Sequence, residues 1–368
     1  MTKRESNIFK CLAIMLMLAH HLFMYADQPD FPALVYGPIF STPERLAAFG
    51  QLCKLCVAIF VFISAYGTAM SCKGSAMDDD RALARKSTER LIKLLVSFQF
   101  VYILAFALCP LGGKSWFTLY SPSRLENLFF ALCDFMGLSY VLQTPSYNSA
   151  WWYMSLAIIL ILILPWLIKF CRKLGSSCIL LFLVISMWFN GEFSFLRYFF
   201  VIPVGIVAAE YSVFQHATAF YFRHNLPIRL LILSCCVGVM VFMGKLYLNL
   251  GPSIYCLCDS VMVISAGIFI LLTLSRIPLL STAAEFIGKY SMDIFLIHTF
   301  IFDLWFHDFT YSLRYPVLIF IFLLISSLTV SVVLGCLKKL CRIDILSLKI
   351  SEKINALILP DSSISAAT

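Results

Sequence analysis

Charged residues are scarce in this chain, since only 13% of its 368 residues are charged whereas 61% are hydrophobic. A soluble domain usually has about 25% charged residues and about 45–50% apolar residues. A water-soluble fold of this length is therefore excluded. The composition instead predicts an all-α fold, in the form of a polytopic bundle of transmembrane helices.

The chain also lacks signals of secretion and of metal binding. No small-residue cleavage site follows the first apolar run at 11–18, which predicts a retained first helix rather than a signal peptide. The 14 cysteines are scattered through the chain, and Cys53-x-x-Cys56 is the one pair with metal-like spacing. Because no second pair and no histidine lie near it in the sequence, we expect no metal site.

The net charge of +8 is not concentrated in a basic tract. The Lys and Arg residues gather in the short segments between hydrophobic runs, where they act as topology signals. No basic stretch is interleaved with aromatic residues facing solvent, so we expect no nucleic-acid partner. The lipid bilayer is the partner that this composition predicts.

The hydrophobic runs set the number of membrane crossings. A helix that spans the hydrocarbon core needs about 20 mostly apolar residues, and runs of that kind predict about ten crossings. Two shorter runs form a predicted hairpin around Asn190-Gly191-Glu192, and about eight crossings is the alternative. The predicted segments are 8–25, 49–71, 91–111, 150–170, 176–190, 195–211, 228–248, 255–275, 285–305 and 315–337.

Loop charge orients this stack of helices. Most of the 28 basic residues fall on one side if the N-terminus is cytoplasmic, which predicts an N-in/C-in arrangement. Residues 1–340 form the predicted transmembrane domain, and 341–368 a cytoplasmic amphipathic segment with a disordered tail. The longest external connection, 112–149, has apolar residues at helical spacing, which predicts a helix lying on the membrane surface.

Two adjacent histidines, His20 and His21, lie near the far end of the first predicted helix. We expect His21 to lie about 20 Å into the hydrocarbon layer of the membrane, which is about 30 Å thick. Ionisable groups are unfavourable there, so their presence indicates a functional role. Lys10 lies at the cytoplasmic mouth of the same helix face, about 16 Å from His21. Adjacent helical residues point about 100° apart, so we expect only one of the two histidines to face a given cavity.

Position alone leaves two interpretations of this pair open. A histidine near the outer interface can extend toward the lipid headgroups and have no further role. A buried imidazole is expected to be neutral, because burial disfavours its charged form. A neutral imidazole is what a general base or an acyl carrier needs near neutral pH.

The first helix resembles the opening helix of membrane acyltransferase family 3. In that family an arginine is followed after ten residues by a histidine, and the corresponding pair here is Lys10 and His21. Lysine keeps the charge of arginine but loses its bidentate hydrogen bonding. Further stretches in the family's order are similar to its motifs, namely 61–67, which contains Ser64, the pair Arg90-x-x-Lys93, 151–154, and 288–298, which ends at His298.

The resemblance implies a membrane O-acyltransferase that moves an acetyl or other short acyl group from cytoplasmic acyl-CoA to a hydroxyl of an exported or cell-surface glycan or lipid-linked saccharide. It implies acyl-CoA as a co-substrate rather than a bound cofactor. It also implies a multi-pass protein of the plasma membrane, the cytoplasmic membrane of a bacterium. The residues it implies are His21, His20 and His298 for catalysis, Lys10, Arg90 and Lys93 for acyl-CoA, and Trp152, Tyr153 and Ser64 for the acceptor substrate.

Other interpretations stay open for several of these residues. His298 is equally suited to packing or support, and Trp152 and Tyr153 are typical anchors at a membrane interface. Asp293 follows Lys289 at i, i+4 spacing, which predicts a local ion pair. A transporter or flippase of lipid-linked sugars is an alternative function, although the sequence has no internal repeat. A glycan polymerase is another, for which we expect a larger external domain.

Overall fold

The computed structural model describes residues 1–25, 34–38, 40–73, 80–189 and 195–358. These residues form helices and no strand, which confirms the predicted all-α class. The helices are α1 (Lys3–Phe23), α2 (Pro43–Leu52), α3 (Leu55–Ser71), α4 (Asp80–Ala107), α5 (Arg124–Phe135), α6 (Trp152–Leu174), α7 (Ser177–Trp188), α8 (Val201–Glu210), α9 (Val213–Arg223), α10 (Leu226–Leu250), α11 (Tyr255–Leu272), α12 (Pro278–Lys289), α13 (Ser291–Thr299), α14 (His307–Ser312), α15 (Pro316–Leu340) and α16 (Ile343–Ile358).

Six helical segments of the described chain are long and apolar enough to cross a membrane. A seventh is added if Leu196–Glu210 and Val213–Arg223, which meet at a bend of 58°, form one broken span. The segment Leu226–Arg276 is 51 residues long and contains both α10 and α11, which pack against each other. The structure therefore confirms a multi-pass helical architecture but not the count of about ten. The N-in/C-in orientation stays a prediction.

The predicted crossing at 285–305 is not one continuous helix. α12 ends at Lys289, α13 begins at Ser291, and the chain then continues as a π-helical turn over Phe300–Trp305. π-Helical turns are rare and are frequently found at functional sites. The predicted hairpin has a short first member, because α7 is only 12 residues long, and the residues 190–192 lie outside the described chain.

Two predicted amphipathic helices are present. Within the connection 112–149, α5 exposes an apolar face that includes Leu125, Leu128, Phe129 and Leu132, as the membrane-surface prediction requires. At the other end of the chain, α16 forms within the predicted amphipathic segment 341–368 and packs against α4. The predicted disordered tail at 359–368 lies outside the described residues.

The first helix lies at the centre of the bundle. It begins with a capping box, in which the Thr2 hydroxyl accepts a hydrogen bond from the Glu5 amide and the Thr2 amide donates to the Glu5 carboxylate. It packs against α2, α3, α11, α12, α13 and α15. α12 comes so close that a Cβ atom on Gly288 would overlap the backbone carbonyl of Asn7. Most residues of α1 between Ile8 and Phe23 are buried.

A buried ion pair ties the segment before α8 to α11. Arg197 Nε lies 2.8 Å from Asp259 Oδ2, and Arg197 Nη2 lies 3.2 Å from Asp259 Oδ1. The Tyr247 hydroxyl on α10 accepts a second bond from Nη2 at 2.9 Å, and the guanidinium lies 4.4 Å from the Tyr255 ring centroid. These contacts satisfy the buried charges and fix α10 and α11 relative to the start of α8.

Replacing one member of this pair is expected to destabilise the protein more than replacing both. The single variants Asp259→Leu and Arg197→Met each leave a buried charge unpaired, at a cost of about 3–5 kcal/mol. The double variant removes both charges, so its melting temperature in detergent should lie above that of either single variant. Additive losses in the double variant would contradict this account.

Candidate functional site

The last turns of α1 bring His21 into contact with His298 of α13. The Nδ1 atom of His21 lies 2.5 Å from the Nε2 atom of His298. Their ring centroids are 4.7 Å apart and the ring planes differ by 17°. The Nδ1 atom of His298 lies 2.9 Å from the carbonyl oxygen of Phe295 and 3.2 Å from that of Ile294. His298 is completely buried, whereas His21 is partly exposed.

These contacts assign the hydrogens of the two neutral rings. Carbonyl oxygens only accept, so the hydrogen of His298 is on Nδ1, and its Nε2 is an acceptor. The hydrogen between the rings therefore belongs to Nδ1 of His21, which donates to His298. This leaves the Nε2 atom of His21 with an unshared electron pair. The assignment follows from the hydrogen-bond network, in which His298 orients His21.

His20 is held by a different contact. Its Nδ1 atom lies 2.8 Å from the carbonyl oxygen of Gly50 in α2, and its side chain is buried. α2 approaches the end of α1 so closely that a Cβ atom on Gly50 would lie 2.5 Å from the carbonyl carbon of Phe23. Gly50 is therefore needed for the contact that orients His20.

Both histidines border one cavity of about 350 Å³. The expectation that only one of them could face a given cavity is wrong, because the cavity lies at the end of α1 and is bordered by both rings, whose centroids are 5.3 Å apart. The predicted substrate residues Trp152 and Tyr153 also line it. Further lining residues come from α3, α13 and the π-helical turn, including Lys54, Phe60, Phe295, Thr299, Phe302 and Asp303.

The residues predicted to bind acyl-CoA lie elsewhere. Lys10 is partly exposed on α1, about three turns and about 16 Å before His21 on an unbroken helix. Within the described chain it has no hydrogen-bond or ion-pair partner. Arg90 donates to the Thr68 hydroxyl, and Lys93 lies 3.9 Å from Asp344 of α16. No contact joins these three cations to one another in the part of the chain that the structure describes.

Ser64 and Asp293 are placed differently from what the sequence suggests. Ser64 does not line the histidine cavity; its carbonyl accepts a bond of 2.6 Å from Thr68, the residue that Arg90 contacts. The predicted ion pair of Asp293 with Lys289 is wrong, since Asp293 pairs with Lys338 of α15. The helix is interrupted between α12 and α13, so the two predicted partners do not lie on one helix.

Two charged residues of the cavity were not predicted. Lys54 is the N-cap residue of α3 and is partly buried in the cavity wall. Asp303 is exposed on the π-helical turn at the cavity. Lys54 lies near one end of the predicted crossing 49–71, where a basic residue suggests a topology signal, and Asp303 lies near the end of the predicted crossing 285–305. A charged residue inside an apolar segment nevertheless indicates a functional role, so Asp303 could have been predicted as a site residue.

A buried carboxylate supports the segment between α5 and α6, part of which lines the cavity. Asp134, at the end of α5, accepts bonds from the Tyr120 and Ser146 hydroxyls at 2.9 and 2.7 Å and from the Tyr147 amide at 2.8 Å. The Ser139 hydroxyl donates to it as well, at 3.1 Å. Burial raises the pKa of the Asp134 carboxyl, and these donors oppose the shift. The carboxylate thereby fixes the chain that leads into α6, where Trp152 and Tyr153 lie.

The sequence model of a family described as an acyltransferase domain matches residues 4–336, which is nearly the whole chain. The match includes α1 with both histidines, α6 and α13. No curated protein and no solved structure matches the chain significantly.

Gly50→Ala is expected to destabilise the protein, because the added methyl group meets the backbone of Phe23 at 2.5 Å. Overpacking of this kind costs about 1–3 kcal/mol and also displaces the carbonyl that holds His20. Gly238→Ala is the matched control, since nothing lies within 4 Å of a Cβ atom there. Melting temperatures of the purified proteins in detergent measure the difference, and equal values for the two variants would contradict the close packing of α2 on α1.

Proposed function

The chain belongs to membrane acyltransferase family 3, and we propose that it transfers a short acyl group from cytoplasmic acyl-CoA to a hydroxyl of an exported or cell-surface glycan. The observation that carries the chemical part of this proposal is the His21–His298 hydrogen bond. It leaves Nε2 of His21 as a hydrogen-bond acceptor, and His21 lines a cavity large enough for a sugar residue. Family membership favours this function over a flippase or a polymerase.

His21 acts as the general base in this proposal. The acceptor hydroxyl oxygen attacks the thioester carbonyl carbon, a C–O bond forms, and the carbonyl electron pair moves to oxygen. His21 Nε2 takes the hydroxyl proton in the same step. The C=O bond then re-forms, the C–S bond breaks, and the leaving CoA thiolate takes the proton from His21. The products are the acyl ester and CoA thiol, and the neutral imidazole is restored.

His298 is a positioning residue in this mechanism. By accepting the Nδ1 hydrogen of His21, it fixes the tautomer and ring orientation that expose Nε2. It also stabilises the imidazolium that forms when His21 takes a proton, as the third member of a catalytic triad does. The carbonyl groups of Ile294 and Phe295 favour any positive charge shared with His298.

The two substrates approach this base from different sides. Trp152 and Tyr153 offer aromatic surface in the cavity, against which a sugar ring of the acceptor packs. Lys10 has no partner within the described chain and is suited to bind a CoA phosphate at the other end of α1. The pantetheine arm of CoA then spans the distance of about 16 Å to His21. Lys93 can exchange its exposed contact with Asp344 for a phosphate, because such a pair contributes little stability.

Removal of His21 tests the function. His21→Ala should lower the rate of acyl transfer about 10²–10⁴-fold, the usual contribution of a general base, without lowering the amount of protein in the membrane. His216→Ala, which removes an exposed histidine of α9, is the control. In cells, loss of the gene should remove O-acyl groups from the surface glycan while its chain length is kept. An unchanged acyl content would contradict the proposed function.

Removal of His298 tests the positioning role. His298→Ala should lower kcat about 10²-fold or more, while KM for both substrates changes little, because the tautomer of His21 is no longer fixed. Mass spectrometry after incubation with acetyl-CoA alone should detect no acyl group on His21. A covalent acyl-histidine would contradict the base mechanism and make His21 an acyl carrier instead.

A further inference from the structure

The hydroxyl of Thr299 is buried in the protein but has no hydrogen-bond partner within the described chain, whereas buried hydroxyls normally have one. Thr299 follows His298, ends α13 and is only 5% exposed, and its Oγ1 atom has no hydrogen bond within the described chain. A buried polar atom without a hydrogen bond lowers the free energy of unfolding by about 1–3 kcal/mol. Threonines elsewhere donate back to a carbonyl of the preceding turn, as do Thr68 to Ser64, Thr273 to Phe269, Thr310 to Phe306 and Thr329 to Ile325.

The nearby carbonyls explain why Thr299 does not do the same. The Phe295 carbonyl, one turn before it, already accepts a bond from His298 Nδ1 at 2.9 Å. The neighbouring Leu296 carbonyl accepts bonds from Trp151 Nε1 at 3.1 Å and from Asn148 Nδ2 at 3.4 Å. The same contacts that hold His298 and α6 in place therefore leave the Thr299 hydroxyl without an internal acceptor.

Thr299 is one of the residues that line the histidine cavity, and its hydroxyl oxygen is buried beside it. Among the buried unpartnered polar side chains of the described residues, Thr299 is the one that lines this cavity. Lys54 lines it too, is partly buried, and has no ion-pair partner in the part of the chain that the structure describes. The residues that line the cavity thus include His21 with its acceptor nitrogen, Thr299 with an unpartnered buried hydroxyl, and Lys54 with a positive charge.

We propose that Thr299 is a catalytic residue of acyl transfer, whose hydroxyl donates a hydrogen bond to the carbonyl oxygen of the acyl group as negative charge develops on it. The inference rests on the function proposed above. When the acceptor oxygen attacks, the carbonyl electron pair moves to oxygen, and the Thr299 hydroxyl and the Lys54 ammonium stabilise the resulting oxyanion. No proton leaves Thr299, and the electron pair returns to the carbonyl as the C–S bond breaks.

Thr299→Val removes the hydroxyl and keeps the shape of the side chain. With acetyl-CoA and unacylated glycan from cells that lack the gene, kcat should fall about 10²–10³-fold, the usual effect of losing one oxyanion donor. KM for both substrates should change less than about threefold, since the bond strengthens in the transition state. Thr299→Ser keeps the donor and should retain activity within about tenfold of the unaltered protein.

A matched control separates catalysis from packing. Ser327→Ala removes another buried, unpartnered hydroxyl, on α15 and away from the cavity, and should leave kcat unchanged. The melting temperature of Thr299→Val should not fall, because its hydroxyl makes no hydrogen bond in the fold. Thr299→Ala, which also lacks the hydroxyl, replaces the Val variant if valine packs poorly.

The kinetic constants of these variants decide whether Thr299 is a catalytic residue. A kcat within about twofold of the unaltered protein in Thr299→Val and Thr299→Ala would overturn it, since an oxyanion donor contributes far more. A loss confined to KM for the glycan would also overturn it and would make Thr299 a binding residue for the acceptor. If the unaltered protein transfers no acyl group, the proposed function itself fails, and if His21→Ala remains active, the assignment of His21 as the base fails. If His21→Ala is inactive while Thr299→Val is fully active, the inference about Thr299 alone fails.

Discussion

The hydrogen bond from His21 to His298 is the contact on which the rest of the site depends. It holds only because Nδ1 of His298 donates to the carbonyls of Ile294 and Phe295, which leaves Nε2 free to accept. α13 is held in turn by bonds from Trp151 and Asn148 to the Leu296 carbonyl. Upstream of them, the buried Asp134 carboxylate fixes the segment that leads into α6. A chain of polar contacts therefore runs from the connection between α5 and α6 to His21, and the apolar packing around α1 keeps it in place.

The broken ninth segment explains how such a site fits into an apolar bundle. A regular helix satisfies its own carbonyls and offers few polar groups to a cavity. Here α13 ends at Thr299 and a π-helical turn follows, so His298 and Thr299, together with Asp303, are presented near the end of α1. The carbonyls of this short helix accept side-chain donors in addition to backbone ones. The irregular backbone is thus tolerated where it lines a cavity, as expected of membrane proteins.

Much of this architecture could be predicted from local sequence, and the remainder depends on long-range contacts. Apolar run length was sufficient to find α1, α6 and α15, and spacing was sufficient to find α5 and α16. The break after Lys289 was missed, because no proline interrupts 285–305. The Arg197–Asp259 pair was missed although Asp259 is the one charged residue within 255–275, which is a usable signal. By contrast, the partners of Asp134 and the unpartnered hydroxyl of Thr299 follow from folded geometry, and no spacing rule could have found them.

The tautomer of His21 is the most direct test of this account, because the proposed chemistry needs an unprotonated Nε2 on the cavity. Solid-state NMR of protein whose histidines carry nitrogen-15 at Nδ1 alone, in lipid bilayers at neutral pH, shows for each ring whether Nδ1 carries a hydrogen. Comparison with His21→Asn and His298→Asn assigns the signals. The account predicts neutral rings with the hydrogen on Nδ1 in both His21 and His298. A hydrogen on Nε2 of His21 in the resting protein would contradict it.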